Sequence, residues 1–128
     1  MYDQGGSDMK NVNEQIAHLD ELMAKHGKKV FTIWTAPENA IYIGRGSDFG
    51  NPFPMKDKSE NERLKVCIEF EEYLAKRIAN DASFKQKVKS LHGKTLKCFC
   101  SPGKETRTQG GRWCHGHILL EYAEKLNK

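Results

Sequence analysis

The pattern of apolar and polar positions predicts four helices. In four segments apolar residues recur at spacings of three and four, which places them on one face of a helix. Ser59 and Glu62 have the spacing of a capping box before the second segment, and Asp81 is a suitable N-cap for the third. The four apolar stripes are Val12, Ile16, Leu19 and Met23; Cys67, Phe70, Leu74 and Ile78; Phe84, Val88 and Leu91; and Ile118, Leu119, Tyr122 and Leu126.

Three short runs rich in β-branched and aromatic residues predict strands at 29–35, 40–43 and 95–100. The resulting order is α-β-β-α-α-β-α, without an internal repeat. A short mixed sheet of about three strands covered by helices is the expected packing, which is an α/β or α+β fold. We assign residues 1–27 to an N-terminal tail and a helix, and residues 28–128 to a single α/β domain.

Composition restricts the class of protein. The chain has 128 residues, the size of one domain, and 38% of them are hydrophobic and 30% charged. No apolar run approaches the roughly 18 residues of a membrane span, and the first residues lack the pattern of a secretory signal. We therefore expect a cytoplasmic protein with no membrane partner. Disulfides are rare in the cytoplasm, so clustered cysteines indicate metal binding or reactivity.

Three of the four cysteines and two of the histidines lie close together near the end of the chain. Cys98 and Cys100 are two apart in a predicted strand, so their side chains leave the same face. Cys114 and His115 stand where the last helix should begin. Three thiolates and one imidazole form one of the standard zinc sites, which predicts a zinc-clamped strand-to-helix junction. His117 is a rival for the fourth ligand position, since it follows only two residues later.

Two other interpretations of these residues stay open. Free cysteines on a strand are often small buried hydrophobes, and this is the expected role of Cys67 on a helix stripe. Alternatively, one cysteine acts as a nucleophile with His115 or His117 as its base.

A glycine-rich stretch follows the second predicted strand and is the candidate ligand-binding loop. Its glycines allow close approach of the backbone, and its Arg45 and Ser47 side chains are suited to an anion. It matches neither the dinucleotide fingerprint nor the P-loop. The alternative is a structural loop in which Phe53 plugs the core. The candidate ligand-binding residues are Gly44, Arg45, Gly46, Ser47, Gly50 and Asn51.

Positive charge is concentrated in one segment. Eight lysines and arginines but only one acidic residue, Glu105, lie between residues 85 and 112, in a chain whose net charge is +4. Such a segment attracts phosphate, nucleotides or nucleic acid, although a solvated helix face has the same composition. Arg107, Arg112 and Trp113 are the candidates for contacting phosphates and stacking on the bases of a nucleic acid.

Two blocks of the sequence together resemble domain-of-unknown-function family 4326, which occurs chiefly in bacteriophages and bacteria. They are IGRGSDFGNPF at 43–53, and LHGKTLKCFCSP at 91–102 followed by CHGHILLEY at 114–122. The resemblance spans about residues 30–126 and implies a cytoplasm that is bacterial or phage-infected. It favours His115 as the zinc ligand, because the residue after CHG varies in the family. The residues that match the family motifs are Gly44, Arg45, Gly46, Ser47, Gly50, Asn51, Pro52, Phe53, Cys98, Cys100, Cys114, His115 and Gly116.

This sequence departs from the family pattern in two places. The link between Cys100 and Cys114 is longer and more basic, and the helix at 11–26 is an addition. We expect a zinc-binding domain that binds, and by extension hydrolyses or transfers, a nucleotide-like or other phosphate-bearing small molecule. The alternatives are a zinc-stabilised module that binds nucleic acid, and a phage protein that binds a host protein.

Overall fold

The computed structural model describes residues 11–54, 56–57, 59–98 and 113–128. In this part of the chain the predicted order of four helices and three strands is confirmed. The elements are α1 (Val12–His26), β1 (Val30–Thr32), β2 (Ile41–Tyr42), α2 (Glu60–Asn80), α3 (Ala82–Lys89), β3 (Leu96–Cys98) and α4 (His115–Leu126). A single 3-10 turn, Gly27–Lys29, joins α1 to β1.

The sheet is parallel, whereas the sequence suggested a mixed one. β3 lies in the centre and pairs with β1 on one side and β2 on the other, both in the parallel sense. The connection 33–40 makes two turns, closed by the Thr32 and Pro37 carbonyls, and so does not reverse the chain as a hairpin would. Consequently all three strands end at the same edge of the sheet, where Thr32, Ile43 and Cys98 lie close to one another in the fold.

Local capping chemistry sets where the helices begin. Asn11 caps α1. Asp81 accepts a backbone hydrogen bond at the start of α3, as predicted. Ser59 likewise caps α2 by accepting from the Glu62 amide. The predicted capping box is only half formed, because the Glu62 carboxylate accepts from the Lys56 amide of the preceding loop at 2.9 Å. The Glu62 carboxylate therefore binds a backbone amide of the loop before α2 instead of the amide of the N-cap residue, Ser59.

The apolar stripes of all four helices pack into one hydrophobic core that includes Leu96 and Cys98 of β3. Cys67 is a buried packing residue within this core, as expected for its position. Helix α1 contributes Leu19 and Leu22 to the same core, and its His18 ring nitrogen lies 2.8 Å from a Glu71 carboxylate oxygen on α2. The largest fully buried side chains are Trp113, Phe70, Ile43, Leu74, Leu91, Leu96, Ile118 and Leu119.

Gly116 allows the first turn of α4 to lie directly against two strands. A β-carbon at this position would approach Ile43 Cδ1 to 2.9 Å and Val30 Cγ1 to 3.0 Å. Ile43 is fully buried, so its side chain has little room to move aside. The absence of a side chain at residue 116 thus sets how closely the helix packs on the sheet.

We expect Gly116→Ala to lower the free energy of unfolding by about 1 kcal/mol or more, because overpacking a filled core forces shifts that outweigh the better helix propensity of alanine. Gly27→Ala is the matched control, since the same added atom there meets nothing within 4 Å and the backbone is already helical. Urea denaturation of both variants measures the difference. Equal stability of the two variants would contradict this packing role.

Candidate functional site

The N-terminus of α4 meets the carboxyl edge of the sheet, and most of the predicted metal ligands converge there. Cys98 is the last residue of β3, and Cys114 is the N-cap of α4. The loop 44–53 leaves the end of β2 at the same edge. In parallel sheets this edge is the usual position of ligand sites, because connections to the following helices open a crevice there.

Two buried thiols face each other across this junction. The Cys98 and Cys114 sulfurs are 3.0 Å apart, and the two residues are only 2% and 4% exposed. This separation exceeds the roughly 2.05 Å of a disulfide bond, so the two sulfurs are not bonded to each other. Two thiolates on one tetrahedral zinc would be about 3.8 Å apart, given Zn–S bonds of about 2.3 Å. The pair therefore fits a zinc ion after an opening of less than about 1 Å.

The ring of His115 is fixed in one tautomer. Its Nε2 lies 2.8 Å from the Ile43 carbonyl oxygen, which only accepts hydrogen bonds, so Nε2 must carry the proton. In the neutral ring the lone pair is then on Nδ1, which is 3.9 Å from the Cys114 sulfur. The Phe70 ring packs edge-on against the imidazole, with ring centroids 5.1 Å apart, and holds its orientation. A backbone carbonyl that orients the far nitrogen is typical of metal-ligating histidines.

His117 has a different role at the same helix end. Its Nδ1 accepts a hydrogen bond from the Cys114 amide at 3.2 Å, while the Gly116 amide donates to the Cys114 sulfur at 3.3 Å. These two bonds form a reciprocal cap, with His117 at the position where glutamate or glutamine is usual. Because Nδ1 of the neutral ring accepts a proton donor, the proton of His117 is on Nε2. The geometry therefore favours His115 over His117 as a ligand.

Several sequence-predicted residues lie outside the described residues. Cys100, Arg107 and Arg112 belong to this group. Of the other predicted zinc ligands, Cys114 lies next to both Cys98 and His115, but the ligand atoms of the three do not all lie within 4.8 Å of one another.

The glycine-rich loop uses most of its polar groups internally. The Ser47 hydroxyl donates to the Gly44 carbonyl at 2.7 Å and accepts from the Phe49 amide at 3.3 Å. Asn51 accepts from the Phe53 amide at 2.8 Å and donates to the Val66 carbonyl of α2 at 3.2 Å. These bonds hold the loop closed and attached to α2.

Arg45 and Gly46 are the exposed residues at the tip of this loop. Gly46 has φ +90°, a conformation that favours glycine. Gly50 approaches the Gly44 carbonyl so closely that a β-carbon would lie 2.8 Å from its oxygen. The loop therefore presents Arg45 on a compact turn. Asp48 is also exposed, but its carboxylate pairs with the Lys87 ammonium of α3 at 2.8 Å.

Trp113 is not available to stack on a base, which corrects the prediction from the basic segment. It is only 1% exposed, and its indole nitrogen donates to the Asp20 carboxylate of α1 at 2.8 Å. The residue precedes the N-cap of α4, and burial of its large ring fixes the path of the chain into that helix. The basic residues nearby in the sequence suggested that Trp113 is exposed, but contact with α1 buries it.

Arg63 is a site residue that the motif search missed. It is buried, with 8% of its surface exposed, and its Nη1 donates to the Trp113 carbonyl at 3.1 Å. The sequence did contain a signal, because Arg63 stands four residues before Cys67 on the stripe that continues through Phe70 and Leu74. A charged residue at a core position of an amphipathic helix is unusual and indicates a specific partner.

A second group of metal-type side chains joins α1 to α4 away from the sheet edge, formed by His26, Glu121 and Glu124. Here a cation is already present, because the Lys25 ammonium lies 3.0 and 3.1 Å from the two carboxylates. Burial alone would raise the pKa of Glu121, but hydrogen bonds from His26 and Lys25 hold it below the usual value. The same hydrogen bond with Glu121 raises the pKa of Lys25 above its usual value. We interpret this group as an ion-pair network that docks α1.

A family model described as "Domain of unknown function (DUF4326)" matches residues 12–125. The chain belongs to this family. No curated protein and no solved structure matches it. The DUF4326 match begins at the start of α1, so it includes the helix that the sequence suggested was an addition.

In this DUF4326 member, the three residues of the CHG motif have three separate roles. Cys114 brings a sulfur to the sheet edge, His115 binds the Ile43 carbonyl, and Gly116 permits close packing on the strands. Among the described residues of this chain, none of the helices combines the length and apolarity that a membrane span needs.

We expect Asn51→Asp to lower the free energy of unfolding by about 1 to 3 kcal/mol, because a carboxylate cannot donate to the Val66 carbonyl and places two acceptors together. Asn39→Asp introduces the same atoms on an exposed turn and is the control. Chemical denaturation of both variants measures the effect. A stability loss no larger than that of Asn39→Asp would contradict the anchoring role of Asn51.

Proposed function

We propose that this domain binds one zinc ion through Cys98, Cys100, Cys114 and His115, and binds a phosphate-bearing small molecule beside the 44–53 loop. The observation that carries the proposal is that the buried Cys114 sulfur lies 3.0 Å from the Cys98 sulfur and 3.9 Å from His115 Nδ1. Sulfur and imidazole nitrogen are the ligands that zinc prefers in proteins.

Zinc with these four ligands would act as a structural clamp. Four protein ligands leave no open coordination position, so the ion would tie the end of β3 to the start of α4. The amide groups at the start of α4 favour negative charge and thus the thiolate form of Cys114. Such a clamp would hold the sheet edge and the glycine-rich loop in one arrangement. The proposal includes a cytoplasmic setting in a bacterial or phage-infected cell, where thiols stay reduced and can bind zinc.

The ligand part of the proposal is supported by the position and charge of the sheet edge. Arg45 is exposed, and in the described part of the chain its guanidinium forms no ion pair. The N-terminus of α4, a helix of 12 residues, ends at the same edge and favours an anion. Phosphate is the anion that both features would bind best, and nucleotides are the phosphate-bearing molecules that suit an α/β crevice.

The nucleic-acid alternative has less support, because Trp113 was its only aromatic residue and it is buried. The basic side chains of α3 form an exposed helix face, on which Lys87 pairs with Asp48 at 2.8 Å.

The zinc proposal predicts one zinc per chain in protein purified without an affinity-metal column. Cys98→Ser and Cys114→Ser should each lose the metal and unfold at lower temperature, because a hydroxyl is a poor zinc ligand. Cys67→Ala is the control, since this buried thiol lies in the helix core and should leave the zinc content unchanged. Elemental analysis and thermal unfolding measure both effects. Zinc-free protein, or equal zinc content in all three variants, would contradict the proposal.

A matched pair of substitutions distinguishes the two histidines. Glutamine at residue 117 retains an acceptor for the Cys114 amide, so His117→Gln should keep the zinc. His115→Gln removes the imidazole ligand and should weaken zinc binding at least tenfold. Competition with a chromophoric chelator measures the affinities. The opposite ranking would assign the ligand position to His117.

A further inference from the structure

Arg63 carries a charge into the interior beside the site. It lies in the first turns of α2 and is more than nine-tenths buried. A guanidinium stays protonated in proteins and offers five N–H donors. Its side chain donates one hydrogen bond to the protein, from Nη1 to the neutral Trp113 carbonyl at 3.1 Å.

No carboxylate of the described residues pairs with this guanidinium. The other arginine of α2, Arg77, shows the usual arrangement, since it lies 3.8 Å from the Asp81 carboxylate and over the Phe84 ring. Burying a charge without an opposite charge is unfavourable, and one bond to a carbonyl compensates only part of the lost hydration. The position therefore requires an anion that the described side chains do not supply.

The surroundings of Arg63 also favour the binding of an anion. The carbonyl that it contacts belongs to the residue directly before Cys114, the N-cap of α4. The positive end of the α4 dipole and the guanidinium thus lie at one end of the helix. Both features favour the same kind of ligand, a compact group with more than one negative oxygen.

We propose that Arg63 is the anion receptor of this site and that it binds the phosphate group of a small molecule such as a nucleoside monophosphate. The inference rests on the proposed function, because it names the residue that recognises the phosphate. The remaining donors of the guanidinium form a planar fork that suits two phosphate oxygens. Arg45 at the loop tip would be a peripheral contact, whereas Arg63 would be the buried one.

Calorimetric titration of the zinc-loaded full chain with inorganic phosphate and with the four ribonucleoside monophosphates tests the proposal. Arg63→Met should weaken binding roughly tenfold or more, because it removes the charge and the fork. Arg63→Lys should have an intermediate affinity, since it keeps the charge alone. Arg77→Met is the control and should bind like the unchanged protein. Unchanged affinity in a folded Arg63→Met protein would overturn the inference.

The outcomes also separate this inference from the proposed function. If phosphate binding depends on Arg45 and not on Arg63, the ligand proposal survives and this inference fails. If none of the probes binds the unchanged protein, both fail. If Arg63→Met loses zinc but binds phosphate as before, Arg63 serves the metal ligands and the inference is again wrong.

A measurement on the unchanged protein covers the case in which Arg63→Met does not fold. In nuclear magnetic resonance spectra, the Arg63 Nε–H resonance should shift and saturate at the same phosphate concentration that calorimetry gives. A shift confined to Arg45 would overturn the proposal.

Discussion

The arrangement of this protein depends on the close approach of the α4 N-terminus to the carboxyl edge of a parallel sheet. Gly116 makes the approach possible, and the His115 ring binds the Ile43 carbonyl across it. Trp113, the residue before the N-cap of α4, donates its indole N–H to Asp20 of α1, and Arg63 of α2 donates to the Trp113 carbonyl. Helices α1, α2 and α4 and two strands are therefore joined around one short segment. The Cys98 and Cys114 sulfurs meet as a consequence of this docking.

This constraint explains why the most distinctive motif residues are divided between structure and chemistry. In the glycine-rich loop, Ser47 closes the loop and Asn51 attaches it to α2. The polar groups of these two side chains are therefore used to hold the structure. Arg45 remains exposed at the tip. At the helix end, His117 completes the cap, while Nδ1 of His115 lies 3.9 Å from the Cys114 sulfur. Motif membership alone does not distinguish these roles, whereas the hydrogen bonds do.

Local patterns in the sequence were enough to predict the elements. Helical periodicity and the caps at Ser59 and Asp81 located α2 and α3 correctly, because both signals depend on residues only a few positions apart. The parallel direction of β2 was not predictable, since it depends on pairing with β3 more than fifty residues later. The burial of Trp113 was missed for the same reason, because Asp20, which accepts the hydrogen bond of its indole nitrogen, is far away in the chain.

The candidate site was predictable in part. The spacing of Cys98, Cys114 and His115 indicated a cluster, and in the fold the Cys114 side chain lies next to each of the other two. Arg63 was missed because a single charged residue beside an apolar stripe is usually taken as a solvent-exposed position until its burial is known.

The coordination of zinc is the central claim, and X-ray absorption at the zinc edge of the purified protein tests it most directly. The account predicts about three sulfur neighbours at about 2.3 Å and one nitrogen at about 2.0 Å. A shell made only of nitrogen and oxygen, or protein that binds no zinc, would contradict it.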